Sequence, residues 1–166
     1  MSLHMSHSSY ISPSYVELHA HSFYSFGEGS SHVHEYLDRA LEFGYSAIGL
    51  TDTNLCGALE FARLAKGIGI KPITGSEITL SDFSHLTLIA RTREGYANIS
   101  RLLTYANMSD RNNPRIDATY LSTNYEGVVL LTGCRKGAIP SCLLYTSDAA
   151  DDTPCVDLGG LSIIKK

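Results

Sequence analysis

A chain of 166 residues, 43% hydrophobic and 18% charged with a net charge of −4, has the composition of a soluble globular protein with one domain and a core of its own. The mild acidity argues against a free-standing basic nucleic-acid binder, although not against a module carried inside a larger nucleic-acid enzyme. No apolar run reaches the roughly 18 residues a membrane span needs, and Met1 to Ser14 is Ser- and His-rich without the apolar core of a signal peptide.

Residues 1–14 read as a disordered leader, and Tyr15 to His21 as a first strand. Gly27 and Gly29 mark a loop, and Ser30 and Ser31 are candidate N-caps for a first helix. Its apolar positions Val33, Tyr36, Leu37, Ala40 and Leu41 follow a helical stripe, with Gly44 as the stop. Ala47 to Thr51 is a short continuous apolar run, the pattern of a strand buried on both faces. A second helix carries Ala58, Phe61, Ala62 and Ala65 on one face and ends at Gly67. Strands are expected at Pro72 to Leu80 and His85 to Ala90. A long helix should start near Glu94 with Ile99, Leu102, Leu103 and Ala106 inward, a helical turn follows at Asp117 to Leu121, and Val128 to Leu131 is a fifth strand. Strands mostly alternating with helices define an α/β class and predict a mainly parallel sheet or barrel.

In such folds ligands collect at the carboxyl ends of strands. His19 and His21 are two apart at the end of an apolar run, a spacing that turns both imidazoles to one side of a strand. That is half of a metal site, and it needs carboxylates and further nitrogens from elsewhere. Other strand ends offer Asp52, Glu77 and Cys134, while His85 opens the fourth strand. Each has a plainer reading beside it. Asp52 either organises the site or caps the following helix, and Glu77 either ligates or is satisfied by backbone amides. Cys134 is either a ligand or a small buried hydrophobe. His85 is either a ligand or an ordinary strand-start residue. His32 and His34 read as surface residues. The four cysteines, Cys56, Cys134, Cys142 and Cys155, have no zinc-finger or disulfide spacing, so a reducing cytoplasm is the default.

The stretch Cys142 to Lys166 breaks the alternation and has no amphipathic period. It resembles the conceptual translation of a sequencing-library adapter, and the expected division is a leader at 1–14, a partial domain at 15–141 and a non-native tail at 142–166.

Six segments stand out in order: His19-Ala-His-Ser-Phe-Tyr-Ser25, Gly44-Tyr-Ser-Ala-Ile-Gly-Leu-Thr-Asp52 and Asn54-Leu-Cys-Gly-Ala-Leu-Glu-Phe-Ala62, then Gly69-Ile-Lys-Pro-Ile-Thr-Gly-Ser-Glu77, Gly95-Tyr-Ala-Asn-Ile-Ser-Arg-Leu-Leu103 and Leu131-Thr-Gly-Cys-Arg-Lys-Gly137. Together they resemble the PHP (polymerase and histidinol phosphatase) domain. The nearest likeness is to the version at the N-terminus of bacterial DNA polymerase III alpha subunits of the error-prone type. The resemblance implies a distorted (β/α)7 barrel, here truncated to about five βα units. It implies a metal centre drawing on His19, His21, Glu28 (in place of an aspartate), Glu77, His85 and Cys134, with Asp52 behind the ligands. Thr53 stands where the family usually has a histidine, and the family's final Asp-x-His has no match, so the implied centre is incomplete. Zinc or manganese is the implied metal, with magnesium for polymerisation in a parent enzyme. Implied partners are DNA, deoxynucleotides, other polymerase domains and a sliding clamp, in the cytoplasm and with no membrane. The function expected is that of the N-terminal fragment of an error-prone DNA polymerase, its PHP domain a metal-site scaffold or vestigial phosphoesterase. The alternatives are a free-standing phosphoesterase of the histidinol-phosphatase type and a non-enzymatic interaction module.

Overall fold

A computed structural model describes residues 15–132, 137, 155–158 and 161–164. Helix α1 (Val33–Glu42) forms because Val33, Leu37 and Ala40 recur at helical spacing and are buried. Its N-cap is His32 rather than Ser30 or Ser31: the Glu35 carboxylate accepts the His32 N–H at 2.6 Å, closing the first turn. Its end is the expected one. Gly44 takes a φ of 69°, the Tyr45 N–H donates to the Ala40 carbonyl and the Gly44 N–H to the Leu41 carbonyl, a closed C-terminal turn that a left-handed glycine permits.

Strand β1 (Ala47–Leu50) is buried at all four positions. Helix α2 (Ala58–Gly67) packs Ala58, Phe61 and Ala65 inward. Strand β2 (Lys71–Thr79) follows, then β3 (His85–Ala90), α3 (Arg93–Ser109), α4 (Ala118–Thr123) and β4 (Val128–Leu131). The four strands make one sheet in the order β1-β2-β3-β4. Cys155–Leu158 (β5) and Leu161–Ile164 (β6), within the stretch read as a non-native tail, pair with each other in a separate two-stranded sheet. Residues 1–14, expected to be a leader, and Cys134 lie outside the described residues.

The class is α/β, as expected, but the sheet is not mainly parallel. Among the described strands of this sheet only β1 and β2 run parallel; β2–β3 and β3–β4 are antiparallel, and Leu80–Ile116 and His85–Gly137 are isolated parallel bridges. The connection from β2 to β3, Leu80 to Ser84, is far shorter than the dozen or so residues a parallel crossover needs. Its turn is held by Asp82, whose carboxylate accepts the Ser84 N–H at 3.0 Å and hydroxyl at 2.6 Å. The second reversal follows from the two helices between β3 and β4. The chain re-enters the sheet beside the end it left, where the Arg91 N–H meets the Gly127 carbonyl at 2.9 Å.

The expected first strand, Tyr15 to His21, is not a regular strand. It lies along β1 through two backbone hydrogen bonds, Gly49 N–H to the Glu17 carbonyl (2.7 Å) and Thr51 N–H to the Ala20 carbonyl (2.9 Å). The acceptors are three positions apart but the donors two, so this segment carries one residue too many for an even ladder. The Glu17 carboxylate also takes the His19 N–H at 2.8 Å.

Strand β2 changes partner along its length. Lys71 to Thr74 register with Ala47 to Leu50, and Gly75 to Thr79 with Ile89 to His85. Gly75 sits at the change, where an added Cβ would collide with the Leu88 carbonyl oxygen and come within 2.9 Å of the Thr51 methyl. From there alternation separates the two faces. Ile78 and Leu80 join Leu86 and Leu88 in a core with Ile99, Leu102, Ala106 and Ile116. Glu77 and Thr87, paired in register, point to the other face with His85. A second core joins α1, α2 and β1 through Val33, Leu37, Ile48, Leu50, Phe61 and Ala65.

Substituting Gly75→Ala forces one of these backbones to move, so unfolding in urea should show a loss of about 1–3 kcal/mol. Gly67→Ala, where a Cβ meets nothing within 4 Å, should leave stability unchanged or raise it by up to about 1 kcal/mol through helix propensity.

Candidate metal centre

The centre is built around Glu77, whose side chain is 5% exposed. An isolated buried carboxylate is costly, and this one is satisfied by two imidazoles with a third beside them. His19 Nε2 lies 2.7 Å and His21 Nε2 3.6 Å from Oε2, and His85 Nδ1 lies 2.8 Å from Oε1. The two histidine Nε2 atoms are 3.1 Å apart, with ring centroids 5.0 Å apart at 70°. The spacing of His19 and His21 therefore brings the rings together as anticipated, although the backbone beneath them is irregular.

His19, His21 and Glu77 each offer one ligand atom, all within 4.8 Å of one another. Ligands held about 2.0–2.2 Å from one tetrahedral or octahedral ion lie roughly 3 Å from each other. The observed edges of 2.7, 3.1 and 3.6 Å bracket that spacing. Two imidazole nitrogens and a carboxylate oxygen are also a donor set suited to a first-row divalent metal. The residues fit a metal ion.

The remaining candidates occupy distinct places. His85 holds the far oxygen of Glu77. Glu28 lies on the other edge of His21, its Oε2 3.7 Å from Nδ1, with its side chain 39% exposed. Asp52 is 2% exposed and does not cap α2, whose N-cap is Gly57. Its Oδ1 accepts the Ser22 N–H and the Ser25 hydroxyl, both at 2.6 Å, and its Oδ2 accepts the Ser22 hydroxyl at 2.7 Å. The Asp52 carbonyl accepts the Ser76 hydroxyl at 2.7 Å and the Glu77 N–H at 3.1 Å. One residue thus ties the loop after His21 to the strand bearing Glu77. Thr53 is exposed and donates its N–H to Ser25. His32 and His34 are exposed, as expected.

The buried serines Ser22 and Ser25 escaped the sequence reading. In a loop rich in Ser and Gly they look like ordinary turn residues, and no sequence signal marks their convergence on one carboxylate. In the sequence Tyr36 is only one position of a helical stripe, yet its hydroxyl donates to the His21 carbonyl at 2.6 Å.

Charge follows this geometry. Burial pushes the Glu77 carboxyl up, but hydrogen bonds from His19 and His85, with the His21 ring close by, outweigh it and hold the group well below the usual carboxylate range. Burial pulls the His21 imidazole down, but the neighbouring Glu77 carboxylate and the charges of Glu28 and Asp52 raise it above its ordinary 6.5.

The PHP domain family matches residues 17–156, and the chain belongs to that family. It is 39% identical over 149 residues to the error-prone DNA polymerase of Symbiobacterium thermophilum, a match covering 79% of this chain and 14% of that protein. It is 34% identical over 149 residues to the DNA polymerase III subunit alpha of Escherichia coli K12, covering 84% of this chain and 13% of that one. The chain thus corresponds to the PHP regions at the N-termini of these polymerases and spans about a seventh of their length. A solved two-domain protein from Bacteroides vulgatus, described as containing a predicted PHP-like metal-dependent phosphoesterase, aligns with a TM-score of 0.41 at 19% identity over 68% of this chain and 41% of its own.

The two shifted groups set a pH window for the metal-free protein. The depressed Glu77 contributes stability that is present above its unfolded value of 4.5 and is lost as pH falls toward its folded value. The raised His21 contributes stability that is full below 6.5 and is lost as pH rises through its folded value. Thermal melts in the presence of a chelator should therefore peak between about pH 4.5 and 6.5 and decline toward alkaline pH. His21→Asn should flatten the alkaline decline.

Proposed function

We propose that this chain is the PHP region of an error-prone DNA polymerase III alpha-type enzyme, and that His19, His21 and Glu77 hold a divalent metal, zinc or manganese. The observation carrying this reading is the convergence of three ligand atoms within 4.8 Å in a chain 39% identical to an error-prone polymerase. His85, Glu28 and Cys134 complete the proposed ligand set, and Asp52 positions it. A bound ion would polarise a phosphoryl oxygen and acidify a bound water. With Thr53 in place of an imidazole, the centre serves mainly as a scaffold or a vestigial phosphoesterase. Polymerisation, with magnesium, belongs to another part of the parent enzyme. The parent would act on DNA and deoxynucleotides in the cytoplasm, with its other polymerase domains and a sliding clamp as partners.

Residues 15–141 are the native portion in this reading, with a leader at 1–14 and foreign sequence at 142–166. The support is the loss of amphipathic pattern after Ser141; the family match itself runs on to residue 156. The untruncated gene decides the matter. Several hundred further polymerase-like codons would support the parent, whereas a stop codon soon after Ser141 would favour a free-standing phosphoesterase.

Metal analysis tests the centre. After growth in supplemented medium and dialysis, the protein should retain about one equivalent of zinc or manganese. His21→Ala should weaken binding by more than about 100-fold, since losing a ligand exceeds the loss of an outer-shell partner. Affinity should fall as pH is lowered, because protons compete for the imidazoles. Absence of metal from the wild-type protein would point instead to an interaction module.

A further inference from the structure

We infer that Ser25 is a positioning residue that fixes the tautomer of His21, keeping the proton on Nδ1 and presenting the Nε2 lone pair to the space shared with His19 and Glu77. The inference deepens the metal reading above and rests on it for its purpose, but the geometry stands by itself.

A serine hydroxyl has one proton to donate and two lone pairs to accept with. Ser25 is fully buried, and its hydroxyl has three partners. Asp52 Oδ1 lies 2.6 Å away, and a carboxylate only accepts, so the single hydroxyl proton goes there. The Thr53 backbone N–H lies 3.1 Å away and only donates, which occupies one lone pair. The third partner is His21 Nδ1 at 3.0 Å. With its proton committed, Ser25 can only accept from it, so Nδ1 carries hydrogen. Asp52 cannot swing away to release the hydroxyl, because Ser22 holds it through both backbone N–H and side chain. The neutral imidazole then has its lone pair on Nε2, 3.1 Å from His19 Nε2 and 3.6 Å from Glu77 Oε2.

The opposite tautomer would put a hydrogen where a metal must sit, and would set two lone pairs facing each other across the Ser25–His21 contact. A ligand imidazole usually has its other nitrogen held by a carboxylate or carbonyl. Here a hydroxyl would stand in that place, with the carboxylate one step behind it, and Ser25 would pass the orientation of Asp52 to the ring.

The decisive measurement needs no variant. Long-range proton–nitrogen correlation NMR on the metal-free wild-type protein, at a pH where the rings are neutral, should show His21 protonated at Nδ1. Protonation at Nε2 would overturn the inference. Ser25→Ala should then give a mixed or reversed tautomer and weaken zinc binding about 10–100-fold, while Ser25→Thr, which keeps the hydroxyl, should restore both. An unchanged tautomer and unchanged zinc affinity in a folded Ser25→Ala protein would also overturn it. Failure of the wild-type protein to bind zinc would sink the metal reading, and the metal-free tautomer would still decide the role of Ser25.

Discussion

A buried carboxylate cannot be left alone, and that constraint shapes the functional end of this domain. Glu77 sits on the face of β2 opposite the hydrophobic core, where solvent does not reach it. Three imidazoles, on the segment before α1 and on β3, converge on it, and His19 and His85 hydrogen-bond its two oxygens. The arrangement couples parts of the chain far apart in sequence: His19 and Glu77 are separated by 58 positions. Fold and site are thus not independent. The alternation that drives Ile78 and Leu86 into the core also turns Glu77 and His85 toward each other.

Behind this contact lies a second, wholly buried polar layer. Asp52 gathers Ser22, Ser25, Ser76 and the Glu77 backbone into one network, every bond of which has a definite donor and acceptor. Such networks are costly when incomplete and rigid when satisfied. Here the network substitutes for the regular strand pairing that the first segment lacks, so the histidines are aimed by side chains as much as by backbone.

Much of this was readable from residue pattern, and what was not has a physical reason. His19 and His21 could be paired from spacing because near-extended backbone alternates sides even when its ladder is imperfect. Glu77 and His85 were visible as metal-capable residues at the end of one expected strand and the start of the next. Strand direction was not visible: hydrophobic periodicity reports which residues are buried, not which way the neighbouring strand runs. The short Leu80 to Ser84 connection was the available clue. Ser30 and Ser31 lost the N-cap to His32 because Glu35 supplied the hydrogen bond from within the helix. Ser25 was hidden for a different reason. Its importance lies in three hydrogen bonds made in three dimensions, and nothing about a serine in a glycine-rich loop distinguishes it beforehand.

The segment from Tyr15 to His21 has one more consequence. Two backbone bonds to β1 and a cluster of serine hydroxyls hold it, rather than a deep apolar face. Segments held this way open at lower free energy than core strands. An ion bound by His19, His21 and Glu77 would clip that edge to β2, and only the closed form would bind it. Occupancy would then act as a latch on local unfolding, with amide exchange in this stretch slowed in proportion to the free metal concentration.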